Sequence, residues 1–297
     1  MSLLQAGDTV GFVATSSGLE GRDITPAVKY FEQKLHLNVK LAPNLSSAYR
    51  YMAGTDQERA TALTQMYLDK DIKALFAIRG AAGSARMLDY LDFSLLAAYP
   101  KPLFGLSDVT SVQNALYAQA GQISYSGFLP IYDIKNGQIP SAQLENTLKS
   151  VLFNDKNTLT GGTALINGST AGEIIGGCLT SFLYLAGTKY MPDFKGKILL
   201  LEDTDEKTYK IDLLLNQLKQ QKNFSLLNGI IIGKFSDCIM IDSFDGDINA
   251  CIKDFTTGLN IPVISDFDYG HIPNRYILPI GHRVKISASP EKCTVSW

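Results

Sequence analysis

Short apolar runs separated by longer stretches of helical spacing recur through the first half of the chain. This alternation constrains the fold more than any other feature. Asp8 to Ala14 (DTVGFVA), Asn38 to Leu41, Ala74 to Ile78 (ALFAI) and Pro102 to Leu106 read as strands. Ile24 to Lys34, Gln57 to Tyr67, Ala85 to Leu91 and Val109 to Ala120 read as the helices between them. Parallel neighbours need a long crossover, usually a helix, and strands covered on both faces are apolar throughout rather than alternating. The pattern therefore predicts βαβ units and a parallel sheet, an α/β domain over residues 1–135.

The second half changes character. Residues 136–165 read as a linker region, with Asn136-Gly137, Pro140 and a helix around Ala142 to Phe153. Beyond it, Gly161-Gly162, Gly168, Gly172 and Gly176-Gly177 punctuate short β-like runs, the mark of tight turns or close backbone packing. Lys197 to Leu201 (KILLL) and Gly229 to Ile232 (GIII) read as buried strands around a helix from Tyr209 to Gln220, and Pro262 to Ser265 and Val284 to Ser287 follow. A mixed, β-rich domain over 166–297 is predicted, and 297 residues suffice for two domains with substantial cores.

A net charge of −2 and a pI near 5.9 give no basic footprint for nucleic acid and no polybasic membrane patch. No run approaches the ~18 apolar residues of a membrane span. Met1 to Gly11 has neither the charge nor the apolar stretch of a secretion signal, so a cytoplasmic protein is expected. Cys178, Cys238, Cys251 and Cys293 form no C-x-x-C pair and read as inert free thiols. Asp242, Asp245 and Asp247 lack EF-hand spacing and a nearby histidine. No metal and no cofactor are expected.

The most informative segment is Gly105-Leu106-Ser107-Asp108-Val109. A serine between an apolar strand and a helix resembles a nucleophile elbow, with the Asp108 amide facing developing negative charge. Val109 stands where G-x-S-x-G has its second glycine. The alternative is that Ser107 or Asp108 merely caps the helix. A nucleophilic serine needs a histidine oriented by a carboxylate. Among three histidines, His36 reads as structural and His282 as exposed, while His271 lies in Asp268-Tyr-Gly-His271, a loop after a strand, where either a catalytic or a structural role fits. Glu202 ends the strand Lys197–Leu201 and opens an acidic run whose later members, Asp205 and Glu206, read as a solvated loop. Arg79-Gly80-Ala81-Ala82-Gly83 also joins a strand to a helix; its amides could supply a second oxyanion donor, or it is a simple turn, and it is neither a Walker A nor a G-x-G-x-x-G loop.

Taken in order, Gly7-Asp8-Thr-Val-Gly, Ala14-Thr-Ser-Ser-Gly18, Tyr51-Met-Ala-Gly54-Thr-Asp-Gln-Glu-Arg59, Ala77-Ile-Arg79-Gly80, Gly105-Leu-Ser107-Asp108-Val-Thr110, Gly176-Gly177, Leu201-Glu202-Asp203 with Tyr209, and Phe267-Asp-Tyr-Gly270-His271 with Leu278-Pro-Ile-Gly281 resemble the LD-carboxypeptidases, a family of serine peptidases. The resemblance spans nearly the whole chain. It implies a flavodoxin-like N-terminal domain and a β-rich C-terminal domain with the site between them. It implies Ser107 as nucleophile, His271 as base and Glu202 as the residue orienting it, with oxyanion amides from Asp108 and Ala81 and substrate contacts from Arg79 and Gly80. The implied substrate is murein tetrapeptide, which loses its terminal D-alanine, and the implied assembly is a homodimer.

Three departures bear on substrate rather than on the triad. The family's R-G-G-Y-G reads Arg79-Gly-Ala-Ala-Gly83, its W-G-G-N-L reads Ile175-Gly-Gly-Cys178-Leu, and the arginine after Tyr-x-Ile-Asp is Leu213. Related microcin C immunity peptidases, which cleave peptidyl or aminoacyl nucleotides, are the alternative within the class. Their extra loop before the glutamate is absent from the compact Gly172–Glu202 segment. A two-domain ligand-binding module without catalysis is the alternative outside it.

Overall fold

The computed structural model describes residues 2–154, 156–242 and 244–297. Met1, Asp155 (within the stretch read as a linker) and Ser243 lie outside the described residues. Contacts divide the chain into two compact units. The first runs to Asn157 and takes in Pro273–Gly281, and the second holds Thr158–Ile272 and His282–Trp297.

In the first unit, strands β1 (Thr9–Val13), β2 (Asn38–Leu41), β3 (Ile72–Ala77), β4 (Leu103–Gly105) and β5 (Ser124–Ser126) form a parallel sheet in the order β2-β1-β3-β4-β5. This is the flavodoxin-like order, whose direction reverses beside β1, so the crevice at the carboxyl ends of β1 and β3 is the expected binding edge. Helices α1 (Thr25–Lys34), α2 (Asp56–Leu68), α3 (Phe93–Ala98), α4 (Thr110–Ala120), α5 (Pro130–Asp133) and α6 (Ala142–Phe153) complete the unit. A capping box starts α2: the Thr55 side chain accepts from the Glu58 amide at 3.2 Å while the Thr55 amide donates to Glu58 Oε2 at 2.7 Å.

Register lines up aromatic side chains across the sheet. Phe12 pairs with Phe76, Phe76 with Phe104, and Phe104 with Tyr125. Ring centroids lie 4.4 Å apart for Phe76–Phe104 and 4.9 Å for Phe104–Tyr125, both stacked, while Phe31 of α1 meets Phe76 edge-on at 4.8 Å. Each such pair adds about 0.5–1.5 kcal/mol beyond its buried area. Within β4 this row falls on Phe104, one residue before Gly105.

Two details differ from the sequence reading. The helix read over Ala85 to Leu91 is present as a 3-10 helix over residues 84–90, shifted by one residue. Its first residue is tethered, because the Ser84 amide and hydroxyl both donate to Asp108, and Asp92 already caps α3. A short span fixed at both ends tightens readily to three residues per turn. Helix α6, read as part of a linker, buries Leu144, Leu148, Val151 and Leu152, and Leu152 accepts from the Leu4 amide at 2.9 Å.

The second unit contains β6 (Thr158–Thr160), β7 (Thr163–Ile166), β8 (Gly168–Cys178), β9 (Ile198–Thr204), β10 (Gly229–Ser236) and β11 (Val263–Ser265), with α7 (Leu179–Leu183), α8 (Thr208–Lys219) and α9 (Ile248–Thr256). The next strand, β12 (Leu278–Ile280), belongs to the first unit, antiparallel to β5; β13 (Arg283–Ala288) and β14 (Cys293–Ser296) return to the second. The carboxyl half of β8 runs parallel to β9, which continues parallel to β10 and β11, with β7 antiparallel at the edge. The amino half of β8 turns to an antiparallel layer with β13, β14 and β6. The unit is thus the mixed, strand-rich domain the sequence predicts.

Arg59 of α2 is fully buried, and it ties the loops after β1 and β3 together. Its Nη1 donates to Thr15 O at 2.5 Å and Gly83 O at 2.8 Å, and its Nη2 bonds Asp56. Arg59→Ala leaves the Thr15 and Gly83 carbonyls without their donor, while Asp56 keeps its pairing with Arg86 at 2.9 Å. It is expected to lower the free energy of unfolding by about 2–5 kcal/mol in urea denaturation followed by far-UV circular dichroism.

Candidate active site

Three loops leave the carboxyl ends of β1, β3 and β4 side by side. The Ser17 amide donates to Gly80 O at 3.3 Å, joining the first two. The second and third meet at Ser107: a Cβ on Gly80 would lie 2.8 Å from Ser107 Cβ and 3.2 Å from its Oγ. Only glycine lets the backbone approach the serine this closely.

Ser107 has φ 65°, a left-handed conformation rare for a residue with a side chain. Leu106 before it is extended, with φ −162° and ψ 165°, and a 3-10 turn over Ser107–Val109 leads directly into α4. This succession has the strand–turn–helix form of a nucleophile elbow. The Val109 departure is accommodated by its neighbour: a Cβ on Gly105 would fall 2.4 Å from Val109 Cγ1. One glycine of the motif persists because the valine occupies its missing side chain's place.

Capping is not the role of these residues. The cap positions fall on Leu106 and Val109, and neither makes a side-chain cap bond. The Asp108 carboxylate, 2% exposed, instead accepts from the Ser84 amide at 2.8 Å, and its carbonyl accepts from Ser84 Oγ. The turn carrying Ser107 is therefore bolted to the loop carrying Gly80 and Ala81. Ala81 itself has φ 81°, so an alanine sits in the left-handed conformation that favours glycine, at a cost of about 1–2 kcal/mol. Arg79, the expected substrate contact, lies 2.8 Å from Glu20 Oε2 and 3.4 Å from Gly18 O. Arg22, then Arg79, hold the Glu20 carboxyl below its usual range.

In the second unit, Glu202 lies within β9 and is fully buried. His271 Nδ1 stands 2.8 Å from Glu202 Oε2. A carboxylate only accepts, so Nδ1 carries the proton and Nε2 is the basic nitrogen. Backbone contacts fix the loop that delivers the histidine. The Phe267 amide donates to Ile232 O at 3.0 Å and the Lys234 amide to Tyr269 O at 2.8 Å, extending the edge of β10. Gly270 has φ 120°, and a Cβ there would lie 2.8 Å from Glu202 Oε2. The glycine before the histidine is what allows the carboxylate contact.

Around this pair, Asp203 is 2% exposed and accepts from the Thr180 amide at 2.9 Å and its hydroxyl at 2.7 Å. Cys178 is the strand partner of Glu202; burial, then the Glu202 and Asp203 charges, holds its thiol well above the ordinary range. The second Glu202 oxygen, Oε1, is buried with no partner among the described residues. Of the other histidines, His36 is exposed and His282 is half-buried with Nδ1 donating to Arg283 O at 2.8 Å. Asp245 closes a turn by accepting from the Ile241 and Asp242 amides, and Asp247 caps α9.

Neither Ser84 nor the burial of Arg59 is marked locally in the sequence: Ser84 bonds Asp108, and Arg59 reaches Thr15 O and Gly83 O as well as the nearby Asp56.

Residues 10–127 match the LD-carboxypeptidase N-terminal domain and residues 171–286 the LD-carboxypeptidase C-terminal domain. A relative named "Probable murein peptide carboxypeptidase" from Bacillus subtilis is 29% identical over 296 residues, covering 98% of this chain and 92% of its own. The Microcin C7 self-immunity protein MccF of Escherichia coli is 25% identical over 330 residues, covering 99% and 94%. The crystal structure of muramoyltetrapeptide carboxypeptidase from Oxalobacter formigenes superposes with a TM-score of 0.88 at 26% identity, covering 97% of this chain and 98% of that one. The chain belongs to the LD-carboxypeptidase family.

Proposed function

We propose that the protein is a serine carboxypeptidase that releases the terminal D-alanine of murein tetrapeptides, hydrolysing the amide between that residue and the L-centre of a diamino acid. The observation that carries the reading is the 2.8 Å contact between His271 Nδ1 and the buried Glu202 carboxylate, which leaves Nε2 poised as a base. The left-handed turn at Ser107 and the family membership support it.

In this reading Nε2 of His271 takes the proton of Ser107 Oγ as the oxygen attacks the carbonyl. Glu202 holds the imidazole in the required tautomer and stabilises the imidazolium that forms. The oxyanion is received by the amides of Asp108 and Ala81. Ser107 and Gly80 pack together, which supports placing Ala81 beside the reacting carbon. Collapse expels D-alanine, its amine protonated by His271. Water, deprotonated by the same histidine, then attacks the acyl-serine and releases the shortened peptide. Arg79 faces the free carboxylate of the substrate while retaining its contact with Glu20. The same reading makes the protein a cytoplasmic homodimer.

Incubation with murein tetrapeptide and, separately, with a peptidyl adenylate, followed by mass identification of products, tests the assignment. D-alanine and the tripeptide are expected. Cleavage of the adenylate alone would transfer the protein to the activity suggested by its likeness to MccF. Ser107→Ala is expected to lower kcat by about 10⁴–10⁶-fold. Gly80→Ala forces a methyl to within 2.8 Å of Ser107 Cβ. It is expected to lower kcat about 10²-fold through displacement of the serine, read by steady-state kinetics beside an unchanged far-UV spectrum.

A further inference from the structure

The first unit contains a buried ion pair that the chemistry above does not use. Arg275 and Asp133 are 0% and 1% exposed. Arg275 Nη2 reaches both carboxylate oxygens, at 2.5 and 2.6 Å, and Nε donates to Gly127 O at 2.8 Å. Burying two charges is costly, and apolar residues of similar volume often stabilise a fold as well or better. The contacts around this pair point to a geometric role.

The pair grips the backbone that sets the serine turn. Asp133 Oδ2 also accepts from the Leu129 amide at 2.8 Å, fixing the turn into α5. Gly127 has φ 132°, and a Cβ there would fall 2.6 Å from Tyr276 O, so the two segments are pressed together. The amides of Gly127 and Phe128 both donate to Gly105 O, at 2.8 and 3.3 Å. Gly105 leads through Leu106 to Ser107. Two hydrogen bonds thus connect the Arg275 guanidinium to the strand end that presents the nucleophile. Arg275 itself follows His271 after only Ile272-Pro273-Asn274.

We propose that Arg275, held by Asp133, is a positioning residue: it fixes the Gly127–Gly105 backbone beneath Ser107 from the segment of chain that also carries His271. The proposal rests on the reading of Ser107 and His271 as nucleophile and base. It makes Arg275 a determinant of kcat that touches neither substrate nor reacting atoms.

The test compares the full chain with Arg275→Met/Asp133→Leu, which replaces the pair by apolar side chains, using tetrapeptide turnover and thermal unfolding. The double variant leaves the Gly127 carbonyl and the Leu129 amide without these partners, so it is expected to fold with a lowered Tm. Assayed well below that Tm, it is expected to lose about tenfold or more in kcat with KM changed by less than about threefold. A folded double variant with parental kcat overturns the proposal. The second arm is Arg275→Ala with added guanidinium ion, for which the cavity of about 280 Å³ beside Tyr132, Asp133 and Lys135 provides access. Recovery of kcat is expected, and recovery of Tm without kcat overturns the positioning role. Ser107→Ala is measured alongside. If it stays active, the nucleophile reading has failed; if it is inactive while the double variant is fully active, only the positioning role has.

Discussion

The left-handed turn at Ser107 is the constraint around which the first unit is arranged. A serine at φ 65° costs free energy, of order 1–3 kcal/mol, and persists only where its surroundings over-determine it. Here the determinants can be named. Val109 fills the place of a Gly105 side chain, Gly80 leaves room for the Ser107 Cβ, and Asp108 is bonded to Ser84. One residue back along β4, Phe104 stacks between Phe76 and Tyr125. Remove any of these and the backbone can relax towards ordinary dihedrals, taking the hydroxyl with it.

The second unit applies the same logic to a base. A fully buried carboxylate is tolerable when it is hydrogen-bonded, and His271 meets Glu202 at 2.8 Å. Gly270 makes that approach possible, and the 267–269 segment clipped to β10 fixes the direction of the loop. Both halves of the proposed chemistry therefore rely on a glycine whose missing Cβ is replaced by a functional side chain: Gly80 for the serine, Gly270 for the carboxylate.

Much of this was legible from residues alone, and what was not has a common cause. Strands such as Ala74 to Ile78 announced themselves because parallel strands buried on both faces are apolar throughout. Glu202 stood out because an acid at the end of KILLL breaks such a run. Ser107 is ambiguous locally, since serine and aspartate at a strand–helix junction also describe a cap; the cap positions fall on Leu106 and Val109, and Asp108 is engaged by the distant Ser84. Arg59 enters the sequence only as the end of a family segment, and nothing local marks Arg275. Their burial follows from partners brought close by the fold: Gly83 O for Arg59, and Asp133 for Arg275. Helical spacing over Ala85 to Leu91 marks the helix but not its 3-10 form, and the tether of Ser84 to Asp108 is not local.

The central claim is that Ser107 is the nucleophile, activated by His271. Reaction with a fluorophosphonate, followed by proteolysis and mass mapping of the adduct, tests it most directly. The account predicts a single adduct on Ser107, formed far more slowly in His271→Ala. An adduct on another residue, or none under conditions where the tetrapeptide is turned over, would contradict it.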